Sequence, residues 1–185
     1  MRLRSLEENF EGSINIIWKA FLLRPEPQKR DLKDFVEYTK SWNRPAKEDD
    51  SGHFKIWNGA DAPLSYSVPP HIVGKAAARF GRDKFLKIHD LLLDSYFSQS
   101  LDISSEKVLR SLWEKGGLDL KVFPSLTSKD IVEEIMSDHR EAIEFNVGGV
   151  PAIRYEQHDV CVVGAQPLEV YKRWFGRLIS QSNEG

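Results

Sequence analysis

The order of elements around a Gly-Gly-Val-Pro sequence at residues 148–151 most constrains the fold of this chain. A helix-type pattern leads into this sequence, and a short apolar segment, residues 152–155, follows it. After a polar turn at 156–159, a second apolar segment at 160–163 leads into an amphipathic stretch that begins at Pro167. Two apolar segments around a polar turn predict a β-hairpin, and the amphipathic periodicity predicts a closing helix. The C-terminal part of the chain is therefore predicted to be α/β.

Pro151 is unusual at the start of a strand, because proline cannot donate a ladder hydrogen bond. A cis bond between Val150 and Pro151 would explain its presence, since the cis geometry turns the Val150 backbone outward to face a ligand. We therefore predict a cis Val150–Pro151 bond. The alternative is a proline that begins the strand in an ordinary trans bond.

Composition and charge exclude several classes of function. The 185 residues suit one domain with an insertion, and a net charge of −2 without a basic stripe argues against nucleic acid as a partner. No apolar run approaches the roughly 20 residues of a membrane span, and the N-terminal residues show no signal-peptide pattern. The single cysteine rules out an internal disulfide, which fits a reducing compartment. These features predict a soluble cytoplasmic protein without a membrane partner.

The first third of the chain predicts two helices, one strand and a long loop. Residues 2–10 and 31–42 show helical periodicity, whereas the β-branched run at residues 13–21 is typical of a strand. Residues 43–67 are rich in proline, glycine and charge, which indicates an ordered loop. We expect isolated apolar residues to anchor this loop, namely Phe54, Ile56 and Trp57.

A block of four helices follows the loop. Helix-start signals occur at Pro69-Pro70, at Asp83, within residues 102–105 and at Thr127-Ser128, and apolar residues recur at helical spacing after each of them. We therefore place an all-helical insertion at residues 69–146. The α/β core comprises residues 1–68 and 147–185.

Five segments, in this order, resemble the DsbA family, and especially its FrnE-like branch. They are residues 16–26, 68–71, 96–104, 149–151 and 163–167. Each segment is a weak signal alone, but the five together run along nearly the whole chain. The resemblance implies an α/β fold with a thioredoxin-like core and an inserted all-helical subdomain.

The same resemblance implies a substrate-binding site. In the family, the backbone of the residue before the cis-proline pairs with an extended substrate or with glutathione, which assigns this role to Gly149, Val150 and Pro151. We add Trp57 and His71 as further candidates, because the order of elements places them toward the same groove. Their alternative roles are core packing for the tryptophan and a surface position at the start of a helix for the histidine.

The resemblance also implies a reactive motif that this sequence does not contain. Family members begin with a strand that leads into a Cys-x-x-Cys motif, or a serine variant, at the start of the first helix. Here Met1 falls inside the expected first helix, so we expect this strand and motif to lie upstream, in a longer gene product. Cys161 lies within a predicted strand, where a buried cysteine is usually inert. No catalytic residue is therefore assigned in this chain.

The expected missing strand would lie between the strand at residues 14–21 and the strand at 152–155. Three arrangements follow from its absence: direct pairing of these two strands, a strand borrowed from a second copy in a homo-oligomer, or a sheet with an open gap. Unpaired backbone groups are costly when buried, so the three arrangements differ in stability and in oligomeric state.

We interpret the chain as a thiol-disulfide oxidoreductase domain that is inactive by itself and acts on protein or small thiol or disulfide substrates. Two alternatives stay open: a glutathione-dependent isomerase or transferase of the 2-hydroxychromene-2-carboxylate isomerase or kappa-class type, and a non-catalytic peptide-binding module. We expect no cofactor, with glutathione left open. The five histidines show no spacing typical of metal ligands, and we interpret residues 138–141 as a solvated helix face.

Overall fold

Seven α-helices, two short β-strands and three short 3₁₀ helices, at residues 40–43, 45–47 and 120–122, make up the regular structure of the described residues. The structure is a computed structural model that describes residues 2–10, 12–48, 50–156 and 161–183, apart from the side chains of 181–183. The helices are α1 (Arg2–Asn9), α2 (Leu32–Thr39), α3 (Val68–Ala78), α4 (Arg82–Phe97), α5 (Glu106–Lys115), α6 (Lys129–Glu144) and α7 (Leu168–Asn183). The strands are β1 (Ala152–Arg154) and β2 (Cys161–Val163).

The predicted C-terminal hairpin is confirmed. Strands β1 and β2 pair antiparallel, with Ile153 opposite Val162, and the amide of Gly164 donates to the carbonyl of Pro151 over 2.8 Å. Strand β1 ends one residue earlier than predicted, and residues 157–160, which include the first residue of the second predicted strand, lie outside the described residues. These two strands form the only sheet of the part of the chain that the structure describes.

The predicted strand at residues 13–21 is wrong as a sheet strand. Residues 14–22 are extended but pair with no other strand, and side chains accept hydrogen bonds from three of their amides instead, those of Ile16, Ala20 and Leu22. The amide of Ile16 donates to Glu7 Oε1 (3.0 Å), and the amide of Ala20 donates to Asp138 Oδ2 (2.8 Å). A β-branched pattern favours extended backbone, but a ladder also requires a partner strand, and no described strand runs beside this segment. Direct pairing with β1 is therefore excluded.

A helix lies at each of the four helix-start signals of the helical block. Helix α3 begins with Pro69 and Pro70 in its first turn, and it packs against α4, α5 and α6. The small residues Ala76 and Ala77 let the neighbouring helices approach closely, and Trp113 of α5 is fully buried beside them. Ala20 and Leu22 of the extended segment belong to the same core, so the helical block packs directly on that segment.

The loop at residues 43–67 is held by an aromatic cluster, as predicted, although one expected anchor differs. Phe35, Trp42 and Trp57 form the buried centre of this cluster, and Phe54 packs against them. Ile56 is 37% exposed, because it alternates with the buried Trp57 along an extended segment and points to the other side. Its predicted role as an anchor is therefore wrong.

Helices α1 and α7 form the second layer beneath the hairpin. Leu6 of α1 packs with Tyr171 and Phe175 of α7, and this cluster is covered by Ile14 of the extended segment and Ile153 of β1. The extended segment and the hairpin thus share one apolar support. None of the described helices is both long enough and apolar enough to cross a membrane.

Candidate functional site

The loop between α6 and β1 is the most exposed apolar part of the predicted site. The Val150–Pro151 bond is cis, and the Val150 side chain is 51% exposed. A Cβ atom added at Gly148 or at Gly149 would meet no atom within 4 Å, so open space surrounds this loop. Gly149, Val150 and Pro151 therefore form one accessible surface that leads directly into β1.

One edge of β1 is not paired with another strand of the described residues. In an antiparallel pair, the residues that exchange hydrogen bonds alternate with residues whose backbone groups point to the opposite edge. Because Pro151 and Ile153 face β2, the amides and carbonyls of Ala152 and Arg154 point away from β2. Among the described residues none pairs with these groups. The open edge begins immediately after Pro151.

His71 lies in the first turns of α3 and is tied to the extended segment. Its Nε2 is 3.1 Å from the carbonyl oxygen of Phe21, and burial lowers the pKa of the imidazole below its usual range. The ring is therefore neutral at pH 7 and can donate from Nε2 to that carbonyl. His71 is half-buried, and no hydrogen bond joins it to Val150 or Pro151 in the described part of the chain.

Trp57 lies in the aromatic cluster and has almost no free surface. Its side chain is 3% exposed, and its indole Nε1 donates to the carbonyl of Asp61 over 2.9 Å. The ring centroid lies 5.2 Å from that of Phe35 and 5.7 Å from that of Tyr96. Trp57 thus packs against α2 and α4, and a ligand could contact only a small part of its surface.

A buried carboxylate on α6 was missed by the sequence analysis. Asp138 is only 6% exposed, and its Oδ2 lies 2.5 Å from Lys75 Nζ and 2.8 Å from the amide nitrogen of Ala20. The prediction of a solvated face at residues 138–141 is therefore wrong for Asp138. A signal existed, because Asp138 follows the buried Ile131 and Ile135 at helical spacing and so lies on the buried stripe of α6.

Glu141, one turn later on α6, connects the extended segment with β1. Its carboxylate lies 2.9 Å from Lys19 Nζ and 3.6 Å from Arg154 Nη2. Lys19 donates a hydrogen bond to Glu141, which raises the pKa of Lys19. The Arg154 guanidinium lies 4.0 Å from the centroid of the Phe145 ring. This network fixes β1, and with it the Val150–Pro151 loop, relative to residues 19–22.

The described part of the chain offers binding groups rather than a reactive centre. Cys161, the single cysteine, lies in β2 opposite Arg154 and not at the start of a helix, where a thiolate would be stabilised. Within the described ranges, no group of three or more His, Cys, Asp or Glu side chains could hold a metal ion. The site therefore comprises an exposed loop, an open strand edge and a supporting network of charges, in which Asp138 is buried and Lys19 and Glu141 are partly exposed.

The sequence of this chain matches one protein family over most of its length. Residues 74–175 match the DSBA-like thioredoxin domain. The chain belongs to this family. The match begins within α3 and ends within α7, and it includes the rest of the helical block, the Val150–Pro151 loop and both strands. A search of curated proteins by sequence found no relative.

Solved structures agree with this assignment. A Nitrosomonas europaea protein proposed to be a protein disulfide isomerase has a TM-score of 0.77 at 11% identity, covering 97% of this chain and 89% of that one. The cytosolic disulfide reductase DsbM from Pseudomonas aeruginosa has a TM-score of 0.71 at 14% identity, covering 100% and 91%. A 2-hydroxychromene-2-carboxylate isomerase has a TM-score of 0.67 at 20% identity, covering 99% and 90%. At these identities the similarity establishes the fold alone: a thioredoxin-like α/β core with an inserted helical subdomain.

Proposed function

We propose that this DSBA-like domain belongs to a thiol-disulfide exchange system and binds a protein or small thiol or disulfide at the Val150–Pro151 loop. The proposal rests on one observation, the exposed loop that leads directly into the open edge of β1. An extended peptide can add to such an edge through backbone hydrogen bonds, and exposed side chains such as Val150 then supply local selectivity. The chain itself is catalytically inactive, because its single cysteine lies in β2.

Two groups support this binding surface from below, the half-buried His71 and the buried Asp138. His71 binds the carbonyl of Phe21, and Asp138 binds the amide of Ala20, so both fix the end of the extended segment. Glu141 then joins Lys19 of that segment to Arg154 of β1. We assign His71 a positioning role in this surface, and Trp57 a structural one.

Several finer features form part of the same proposal. We place the chain in the FrnE-like branch, with a core at residues 1–68 and 147–185 and an insertion at 69–146. Glutathione is the small thiol that we expect to bind, and the cytoplasm is the expected compartment. The fold shared with a cytosolic disulfide reductase supports this view. A homo-oligomer would provide a second chain for the open sheet edges.

The proposal can be tested by removing one backbone donor from each edge of the hairpin. Ala152→Pro removes an amide that points to the open edge of β1, whereas Val163→Pro removes the matching amide on the outer edge of β2. The probes are glutathione disulfide and S-carboxymethylated insulin B chain. Their binding is measured from chemical-shift changes at residues 149–154. Binding should be lost in Ala152→Pro and retained in Val163→Pro. Equal binding by both variants would overturn the proposed edge.

A glutathione-dependent isomerase or transferase is the second candidate function. It is supported by the shared fold with a 2-hydroxychromene-2-carboxylate isomerase, which has the highest identity of the three structures compared. The same titrations separate the two candidates. Binding of glutathione without binding of the insulin B chain favours the isomerase or transferase, whereas binding of both favours thiol-disulfide exchange. Binding of the peptide alone favours a non-catalytic peptide-binding module.

A further inference from the structure

A groove on the surface of the helical block, along one side of α5, has the composition of a small ligand site. It has a volume of about 330 Å³ and is lined by Leu101, Lys107, Val108, Ser111, Leu112 and Lys115. We propose that this groove binds an amphipathic organic anion, with an alkyl or aromatic body and one carboxylate, sulfate or sulfonate group. No catalytic role is assigned to it.

The floor of the groove is apolar and continuous with the core. Leu112 is 2% exposed and belongs to the same buried cluster as Leu109 and Trp113, and Val108 packs against that cluster. Leu101, from the segment before α5, closes one side. Burial of apolar ligand surface on this floor contributes about 25 cal/mol of binding free energy per Å². The floor therefore selects for a ligand with an apolar body.

The rim of the groove supplies positive charge that the protein does not neutralise. Lys107 and Lys115 are eight residues apart on α5, which places them about 12 Å apart along the helix axis, at the two ends of the groove. Neither lysine has an ion pair within the described ranges, whereas Arg110 on the same helix pairs with Glu106. Two unpaired cations beside an apolar floor complement an amphipathic anion.

The size of the groove limits the ligand class further. Pockets for small molecules typically measure about 300–1,000 Å³, so the groove lies at the lower end of that range. It suits a ligand the size of a medium-chain fatty acid better than a nucleotide or a folded partner. Ser111 lies between the two lysines, and its hydroxyl has no hydrogen-bond partner among the described residues. The Ser111 hydroxyl can donate a hydrogen bond to the anionic head group whichever lysine that head group approaches.

Three probes separate charge from apolar contact. Octanoate carries both features, 1-octanol carries only the apolar body, and acetate carries only the charge. In titrations of ¹⁵N-labelled protein, octanoate should give saturable shifts confined to residues 101–115, with much weaker effects of octanol and acetate. Equal binding of octanol would show a merely apolar surface. Shifts spread over the whole protein would show nonspecific association. Either result would overturn the proposal.

Matched variants test the two lysines. Lys107→Ala with Lys115→Ala should weaken octanoate binding about tenfold, as expected for the loss of two exposed charge contacts. Lys87→Ala on α4 is the control, because Lys87 is also exposed and without an ion pair in the described part of the chain. Ser111→Trp fills the groove from an exposed position and should abolish binding without disturbing the core. Unchanged octanoate affinity in both α5 variants would contradict the assignment.

Discussion

Lys75 of α3 and Asp138 of α6 form an ion pair, with 2.5 Å between Nζ and Oδ2, and the same carboxylate accepts the amide of Ala20. One buried anion thus joins two helices of the insertion to the extended segment of the core. A buried charge is tolerated only when its partners are in place, so this carboxylate specifies the position of all three elements. It is the clearest energetic connection between the helical block and the candidate site.

Replacement of Asp138 by alanine should destabilise the domain strongly. It would leave Lys75 and the amide of Ala20 without their partner, which typically costs about 3 kcal/mol or more for a buried pair. Urea denaturation gives the free energy of unfolding for the comparison. Asp130→Ala is the control, because Asp130 forms an exposed ion pair with Arg79 and should change stability much less than Asp138→Ala. Equal effects of the two substitutions would show that the buried pair contributes little.

Stability should fall with acidification because of His89 on α4. Burial, together with the neighbouring Arg4 guanidinium, lowers the pKa of His89 to about 4, against the partly opposing effect of Asp90. In the unfolded chain His89 therefore binds a proton near pH 6.5, whereas in the folded chain it binds one only near pH 4. The stabilising contribution of neutral His89 is complete above pH 6.5 and is lost as the pH falls toward 4, by about 3 kcal/mol.

His89→Gln should flatten this part of the stability profile. Denaturation midpoints measured between pH 4 and pH 7 give the slope, and the variant should lose most of the decline seen in the wild-type protein. His53→Gln, at an exposed position in the loop, serves as the control and should keep the wild-type slope. A wild-type slope in His89→Gln would show that other groups cause the acid sensitivity.

The chain alone should show no turnover in disulfide reduction or oxidation. Exchange chemistry requires a reactive thiolate and usually a second, resolving thiol, whereas this sequence has one cysteine, placed in β2. Reduction of insulin by dithiothreitol, followed as turbidity, is the measurement. Acceleration that persists in Cys161→Ser would reveal a chemistry that does not depend on a thiol of this chain.

Trp57→Ala should act on stability and not on binding. The indole is buried against Phe35 and Tyr96, and removal of a buried tryptophan costs about 3–5 kcal/mol. Tyr38→Ala provides the comparison, because Tyr38 is 62% exposed and should cost less than about 1 kcal/mol. Under conditions where the Trp57 variant stays folded, its glutathione affinity should equal that of the wild-type protein. A loss of glutathione affinity in the folded Trp57→Ala variant would instead show that Trp57 belongs to the binding site.

Local sequence patterns predicted most helices and the hairpin, whereas contacts between elements distant in sequence could not be predicted from them. The caps at residues 127–128, the prolines at 69–70 and the hairpin after Pro151 are short-range signals, and the structure has an element at each of these places. The state of residues 14–22 depends on a neighbouring strand, which periodicity cannot show. Likewise, Asp138 has the polarity of a surface residue, and only its pairing with Lys75 explains its burial.

Hydrogen exchange should alternate along the extended segment, and this pattern tests how its edges are used. The amides of Ala20 and Leu22 donate to Asp138 and His139, so they should exchange slowly. The amides of Ile17 and Lys19 have no acceptor within the described ranges and should exchange fast. In Asp138→Ala the protection of Ala20 should disappear while that of Leu22 persists. Strong protection of Ile17 and Lys19 that grows with protein concentration would instead show that a second chain pairs with this edge.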